Sequence, residues 1–291
     1  MIKSKMRTEK QKLTLTYLIL LIFVLVVVIP FYIILITSVK NNAESSNPVF
    51  TWWPKMGFHF GGYQKILIAD VTGGVDTGSS ILRGLINTIW INLIPTIVGL
   101  FMATMSAYAL AKIKFKGANF IFSTLLLTMM IPSIITLTPS YLLYDLIGWT
   151  RTPLPLMVPG LFGGAACVFF MRQYFRGMPD ELIDAAKIDG LGNFGVFIRI
   201  MLPLAKPALI SQFMIIFIGR YNDYTGPLLY LTGTDLYTLQ IALRANMGTY
   251  VNDWQTVMSG AVISILPLLV IYFFLQKYFI KGIAINSGIK R

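Results

Sequence analysis

Long apolar runs separated by short polar segments set the pattern of this chain, and six of the runs are long enough to cross a bilayer. A helix rises about 1.5 Å per residue, so about 20 apolar residues cover the hydrocarbon core. The runs occupy 13–37, 85–111, 118–143, 154–171, 208–231 and 257–276. They predict an all-α integral membrane protein with six transmembrane helices, flanked by polar segments at 1–12 and 277–291. The first run follows a basic start, but it exceeds the roughly 7–15 apolar residues of a cleavable signal and no small-x-small cleavage site follows it. It is expected to stay as an anchor. The fifth run is interrupted by Arg220 and Asp223.

Residues 177–206 break the apolar pattern with charges and glycines, so this segment is expected in water between the fourth and fifth spans. Pro179 suits a first helical position, Asp180 and Glu181 oppose the positive end of a helix dipole, and Lys187 falls in the last turn. Gly190 can take the left-handed conformation that ends a helix. A short helix over 179–188 is therefore predicted. On a 3.6-residue wheel Leu182, Ile183, Ala185 and Ala186 share one side, while Asp180, Asp184 and Lys187 share the other. Asn193 is the expected cap of a second short helix, with Phe194, Phe197, Ile198 and Met201 at i, i+3, i+4 and i+7 and Leu202-Pro203 at its end. This pair of helices presents small and aromatic residues either to the protein's own inner face or to a partner.

Composition agrees with the membrane reading. Of 291 residues 56% are hydrophobic and 12% charged, and the mean hydropathy is +0.71, too little polar surface to coat a soluble globule. One cysteine, Cys167, excludes an internal disulfide, and one histidine, His59, argues against a clustered metal site. No cofactor and no catalytic group is expected. No Gly-x-x-x-x-Gly-Lys-Ser/Thr phosphate loop occurs, so the chain lacks evident means of holding ATP.

The formal charge of +12 sorts by topology. With the N-terminus placed inside, the inner segments hold 17 basic and five acidic residues, and the outer segments hold seven of each. The whole net charge then lies on one side, as the positive-inside rule requires for cytoplasmic termini. Nucleic-acid binding is the rival reading of a basic chain, but these residues flank spans instead of forming one aromatic-interleaved patch.

Two outer segments are candidates for recognition. The first, 40–84, carries Trp52, Trp53, Phe58, Phe60 and Tyr63 and reads chiefly as an aromatic belt at headgroup level. The second, 232–256, holds Tyr237, Arg244, Asn246, Tyr250, Asn252 and Trp254, groups able to stack on and hydrogen-bond a sugar, or to form a plain surface loop. Within the spans, Pro95, Pro132, Pro139, Pro155 and Pro159 each remove a backbone donor and predict broken helices of the kind that line a path, although proline is also common in membrane helices generally. Gln212, Tyr221, Asn222 and Asp223 are the candidate path residues. A group of this kind is costly near lipid unless it pairs, faces water or caps a helix end.

Asp184-Ala185-Ala186, three residues, Gly190, nine residues and then Ile200-x-Leu202-Pro203 resembles the EAA loop of permease subunits of binding-protein-dependent ABC importers. Tyr221-Asn222-Asp223-Tyr224 before Gly226-Pro227-Leu228-Leu229, and the ending Gln276-Lys277-Tyr278-Phe279-Ile280-Lys281-Gly282, are similar to the smaller, maltose-type permease of the carbohydrate branch. Asp184 stands where that family usually has Glu, and Tyr221 where Trp is common.

The resemblance implies a type I ABC importer permease (MetI-like) fold in the cytoplasmic membrane, with no enzymatic activity of its own. It implies that Leu182, Asp184, Ala185, Ala186, Asp189, Gly190, Leu191, Phe194 and Arg199 form the interface to a cytoplasmic ATPase dimer. It further implies a second permease subunit and an extracytoplasmic binding protein as partners, the latter contacted by 232–256. The cargo it implies is a sugar or oligosaccharide, with glycerol-phosphate or another polar solute as the alternative. An ion-driven secondary transporter would instead place carboxylates within the spans. None lies in spans one to four or six, and Asp223 stands near the fifth.

Overall fold

Every regular element among the described residues is helical. The computed structural model describes residues 2–72, 81–231, 235–249 and 253–286, with backbone alone at 2–11, 67–72, 246, 248–249 and 278–286. In chain order the elements are α1 (Ile2–Ser38), α2 (Asn42–Ser45), α3 (Gly61–Thr72), α4 (Ile81–Lys112), α5 (Ala118–Met129), α6 (Ser133–Leu146), α7 (Leu154–Leu161) and α8 (Ala165–Arg176). There follow α9 (Glu181–Ile188), α10 (Asn193–Val196), a π-helical turn at Phe197–Met201, α11 (Leu202–Leu204), α12 (Lys206–Tyr221), α13 (Thr225–Leu231), α14 (Leu239–Thr249) and α15 (Trp254–Asn286).

Four helical stretches are long and apolar enough to cross a bilayer: Lys12–Ser38, Ile81–Lys112, Leu154–Arg176 and Trp254–Lys277. Two bent pairs raise the number to six. In the first pair, Ala118–Met129 meets Ser133–Leu146 at 96°, so the run over 118–143 is broken at Pro132, one of the prolines expected to break a helix. Pro132 explains the break, because it offers no N–H to continue α5 and disfavours helical backbone at Ile131. In the second pair, Asn193–Leu204 meets Lys206–Tyr221 at 77°. Within the fifth run the helix stops at Tyr221 and a new one begins at Thr225, beside the interruption expected at Arg220 and Asp223. Pro95 and Pro139 lie inside continuous helices and break nothing.

The chain divides into two compact units. One comprises Met1–Val75 and Leu243–Ile265. There Glu44 of α2 ties down the aromatic loop: its carboxylate accepts from Thr51 Oγ1 at 2.6 Å and from the backbone N–H groups of Lys55 and Met56. Asp253 accepts from Thr256 Oγ1 at 2.9 Å and from its N–H at 3.1 Å, capping α15, and also pairs with Lys65 of α3. Burial alone would raise the Asp253 carboxyl, but those three donors outweigh it and hold the group below its ordinary range.

The other unit comprises Asp76–Ala242 and Leu266–Arg291. Its core gathers Ala103, Ala107 and Tyr108 of α4, Val168, Met171 and Phe175 of α8, Phe197 and Met201 of the π-helical turn, and Ala208 of α12. Helix α4 is central, packing on α7, α8 and α12. Small residues let it come close: a Cβ on Gly99 would lie 2.1 Å from the Gly160 carbonyl oxygen.

Candidate functional site

Helix α9 is attached to the second unit's core by one face only. Ile183 and Ala186 are buried within the cluster that includes Tyr108 and Phe175. Leu182, Asp184, Ala185, Asp189 and Gly190 are exposed, and Ile188 is 86% exposed. The single apolar side expected from the helical wheel is therefore split. Positions 183 and 186 lie one turn apart and point inward, while 182 and 185 lie on the flank beside them.

The end of α9 has the geometry of a Schellman motif. Gly190 has φ +83°, its N–H donates to the Lys187 carbonyl at 3.0 Å, and the Leu191 N–H reaches back to the Ala186 carbonyl at 3.0 Å. The left-handed glycine expected at 190 is present. Leu191 then packs against the core as a half-buried residue.

The beginning of the loop is held by a group not singled out in the sequence. Lys112, at the end of α4, has a side chain 5% exposed. Its Nζ donates to the Met178 carbonyl at 2.6 Å and to Asp180 Oδ1 at 2.5 Å. The hydrogen bond and charge of Lys112 hold the Asp180 carboxyl below the ordinary carboxylate range.

Beyond the turn, the structure differs from expectation in two respects. Asn193 begins α10 instead of capping it through its side chain, with Gly192 preceding it. Leu202-Pro203 does not end the second helix, because the helix widens to π geometry at Phe197–Met201 and runs on through Leu204. Pro203 carries no N–H to donate, and across the wider turn the Leu202 N–H reaches back to the Phe197 carbonyl. Phe194 is 64% exposed, Arg199 is exposed, and Phe197 is buried.

The candidate path residues separate into buried and exposed pairs. Tyr221 is 1% and Gln212 6% exposed, and the Gln212 amide makes no hydrogen bond among the described residues. Asn222 and Asp223 are exposed at a helix junction. Asn222 donates to the Ile218 carbonyl at 3.0 Å, and Asp223 Oδ1 accepts from the Gly226 N–H at 3.2 Å. Asp223 is thus a cap for α13, one of the roles open to it from sequence. Arg220 donates to the Leu156 carbonyl at 3.2 Å, and its terminal nitrogens occupy the space where a Cβ on Gly160 would stand.

Of the outer candidates, Tyr237 is half-buried and its carbonyl accepts from Asn87 Nδ2 at 3.1 Å. Arg244 is exposed on α14. The side chain of Asn246, and all of Tyr250 and Asn252, lie outside the described residues. No group of three or more potential metal ligands occurs among the described residues.

Known proteins resemble this chain over most of its length. The family described as the binding-protein-dependent transport system inner membrane component matches residues 96–285. The arabinooligosaccharides transport system permease protein of Bacillus subtilis is 32% identical over 266 residues, covering 90% of each chain. Its counterpart in Halalkalibacterium halodurans is 36% identical over 204 residues, 70% of this chain and 72% of that one. In fold, the chain is similar to the crystal structure of a bacterial ABC transporter involved in the import of the acidic polysaccharide alginate. The TM-score is 0.80 at 22% identity, over 94% of this chain and 98% of that one.

Proposed function

Since the chain belongs to the family of binding-protein-dependent transport system inner membrane components, a multi-pass protein of the cell membrane, we propose that it forms half of the path of a carbohydrate importer. The energy comes from ATP hydrolysis in a separate cytoplasmic ATPase, which docks on the EAA loop at 177–206. Both termini then lie in the cytoplasm, in keeping with the distribution of basic residues.

The observation that carries this reading is the two-faced α9. Ile183 and Ala186 root it in the same core as α4 and α8, while Leu182 and Ala185 on its flank, Ile188 at its end and Phe194 on α10 remain uncovered. A partner that moved the exposed face would move the core of the second unit with it, because packed interiors transmit displacement instead of absorbing it. Burying Ile188 alone is worth about 1.5–3 kcal/mol to such a contact.

Gln212 and Tyr221 are the path residues the geometry favours. Both are buried on α12, and the Gln212 amide, without a hydrogen-bond partner among the described residues, is available to a polar solute. Tyr237 and Arg244 are assigned to contact with the extracytoplasmic binding protein, and a second, related permease completes the path. The cargo is proposed to be an oligosaccharide, supported by the relatives named for arabinooligosaccharide transport.

The test is capture of the ATPase. Affinity-purified, detergent-solubilised protein is expected to bring down the ATPase, and Ile188→Asp is expected to lose it while keeping the protein in the membrane. If no ATPase copurifies with the wild type, or if Ile188→Asp and Leu182→Asp retain both capture and uptake, this reading fails.

A further inference from the structure

A cavity of about 390 Å³ lies where α4 ends and α5 begins, against the last turn of α8. Lys114, Arg172 and Arg176 line it together with Ile113, Phe115 and Asn119, and no lining residue is acidic. The volume falls within the range of small-ligand sites.

Arg172 is built into this place. Its residue is 7% exposed, its Nε donates to the Leu110 carbonyl at 3.1 Å, and its guanidinium carbon stands 3.7 Å from the Phe122 ring centroid. Those contacts fix the plane of the group, and the terminal nitrogens make no hydrogen bond among the described residues. Arg176 follows one turn later on the same helix face, so two cations stand together at the site.

The nearby carboxylate does not neutralise them. Lys65 pairs with Asp253 and Lys112 with Asp180, whereas Lys114, Arg172 and Arg176 have no ion-pair partner among the described residues. Asp180 is near enough to feel the charge of Lys114, but its hydrogen bond goes to Lys112. Like charges gathered without a counter-charge call for an anion. An oxyanion with several acceptor oxygens suits two guanidinium groups and an ammonium.

The surroundings say what kind of anion. Phe115 is 41% exposed, Phe120 76% and Ile121 49%, and no residue of α5 is buried. The cavity thus has a cationic floor at the polar end of a span and an uncovered apolar flank along the span itself. Basic pockets between helices at the cytoplasmic surface suit phospholipid headgroups.

We propose that this cavity binds the phosphate of an anionic glycerophospholipid, held by Arg172, Arg176 and Lys114, with an acyl chain lying along Phe115 and Phe120. The proposal rests on the membrane-spanning reading and is independent of the cargo. By anchoring the ends of α4 and α8 beside Lys112, a bound lipid would also stiffen the base of the ATPase-docking loop.

The experiment is native mass spectrometry of the assembled importer from vesicles mixing phosphatidylglycerol with phosphatidylcholine. Wild type is expected to retain phosphatidylglycerol in preference to phosphatidylcholine. The double variant Lys114→Ala/Arg176→Ala is expected to lose about tenfold or more of that retention, and Lys55→Ala none. Arg176→Gln, a milder change, is expected to weaken retention in between, with an unchanged melting temperature showing that the fold is intact. Equal retention of both lipids, or unaltered retention in the double variant, would overturn the site. Displacement of the lipid by excess inorganic phosphate would show a free-oxyanion site and overturn the lipid assignment. ATPase capture and uptake read the importer function separately, so either reading can fail alone.

Discussion

The ring of Phe194, 64% exposed, lies 6.4 Å from the ring of Phe197, which is 1% exposed. Phe197 in turn lies 5.4 Å from Tyr108 and 5.9 Å from Phe101, both on α4. A continuous run of aromatic rings therefore leads from the loop surface into the body of a span. Aromatic side chains have few rotatable bonds, so a push on the first ring passes to the others with little lost in rotamer change.

These two phenylalanines should respond differently to removal. Phe194→Ala deletes an exposed ring and is expected to leave the melting temperature unchanged while reducing ATPase capture and uptake. Phe197→Ala opens a cavity in the core and is expected to cost about 3–5 kcal/mol, read as a clear fall in melting temperature. Equal thermal losses in the two variants would show that Phe194 is a packing residue, not a docking one.

Lys112 and Asp180 set the position of the loop entrance. Lys112→Met removes both the Met178 and Asp180 contacts and is expected to speed hydrogen exchange across 177–191. Asp180→Asn keeps the Met178 contact and should do so less. The pH dependence follows from the depressed Asp180 carboxyl. A lowered folded value means that the contribution is fully present above the unfolded value of about 3.9 and disappears as the pH falls through the folded one. Exchange in this segment should thus show no Asp180-dependent change between about pH 5 and 8. A step in that range, present in wild type and absent in Asp180→Asn, would contradict the assignment.

At Gly190 the expected losses are graded. A Cβ there meets no atom within 4 Å, so Gly190→Ala suffers only the left-handed backbone cost of about 1–2 kcal/mol. Gly190→Pro cannot reach φ +83° and also loses the N–H bonded to Lys187. Transport should fall in Gly190→Ala and vanish in Gly190→Pro, with membrane insertion intact in both. Wild-type uptake by Gly190→Pro would refute a coupling role for this turn.

The features legible in the sequence were those with a local cause. Gly190 as a helix stop, the charged first turn of α9 and the apolar length of the spans depend on neighbours in the chain. The features that escaped depend on distant partners. The helical wheel groups Leu182, Ile183, Ala185 and Ala186 together, and only contact with Tyr108 and Phe175 separates the inner pair from the outer. In the sequence Ile188 marks a helix end, yet in the fold it is the most exposed apolar side chain on α9. Lys112 counted as one more basic residue at a span end, because its partner Asp180 stands 68 residues away. Pro132 illustrates the opposite case: proline signalled a break, but not that it would turn the chain by 96° when Pro95 and Pro139 leave their helices continuous.

Gly99 and Gly160 face each other between α4 and α7, and the two sites should fail in different ways. A Cβ on Gly99 would stand 2.1 Å from the Gly160 carbonyl oxygen and 3.3 Å from Gly163 Cα, both backbone. Backbone can yield only by separating the helices, so Gly99→Ala is expected to cost about 1–3 kcal/mol or more as overpacking. A Cβ on Gly160 would instead meet the Arg220 guanidinium nitrogens at 2.2 and 2.8 Å, the movable end of a long side chain. Gly160→Ala should therefore keep most of the stability while driving Arg220 away from the Leu156 carbonyl. If Arg220 matters to transport through that position, Gly160→Ala will lower uptake with little change in melting temperature, and Arg220→Lys will behave in the same way because ammonium cannot reproduce the planar donor. Gly99→Ala will lower both. Normal uptake in Gly160→Ala would reduce Arg220 to a helix-end residue, and an unchanged melting temperature in Gly99→Ala would refute the close α4–α7 contact.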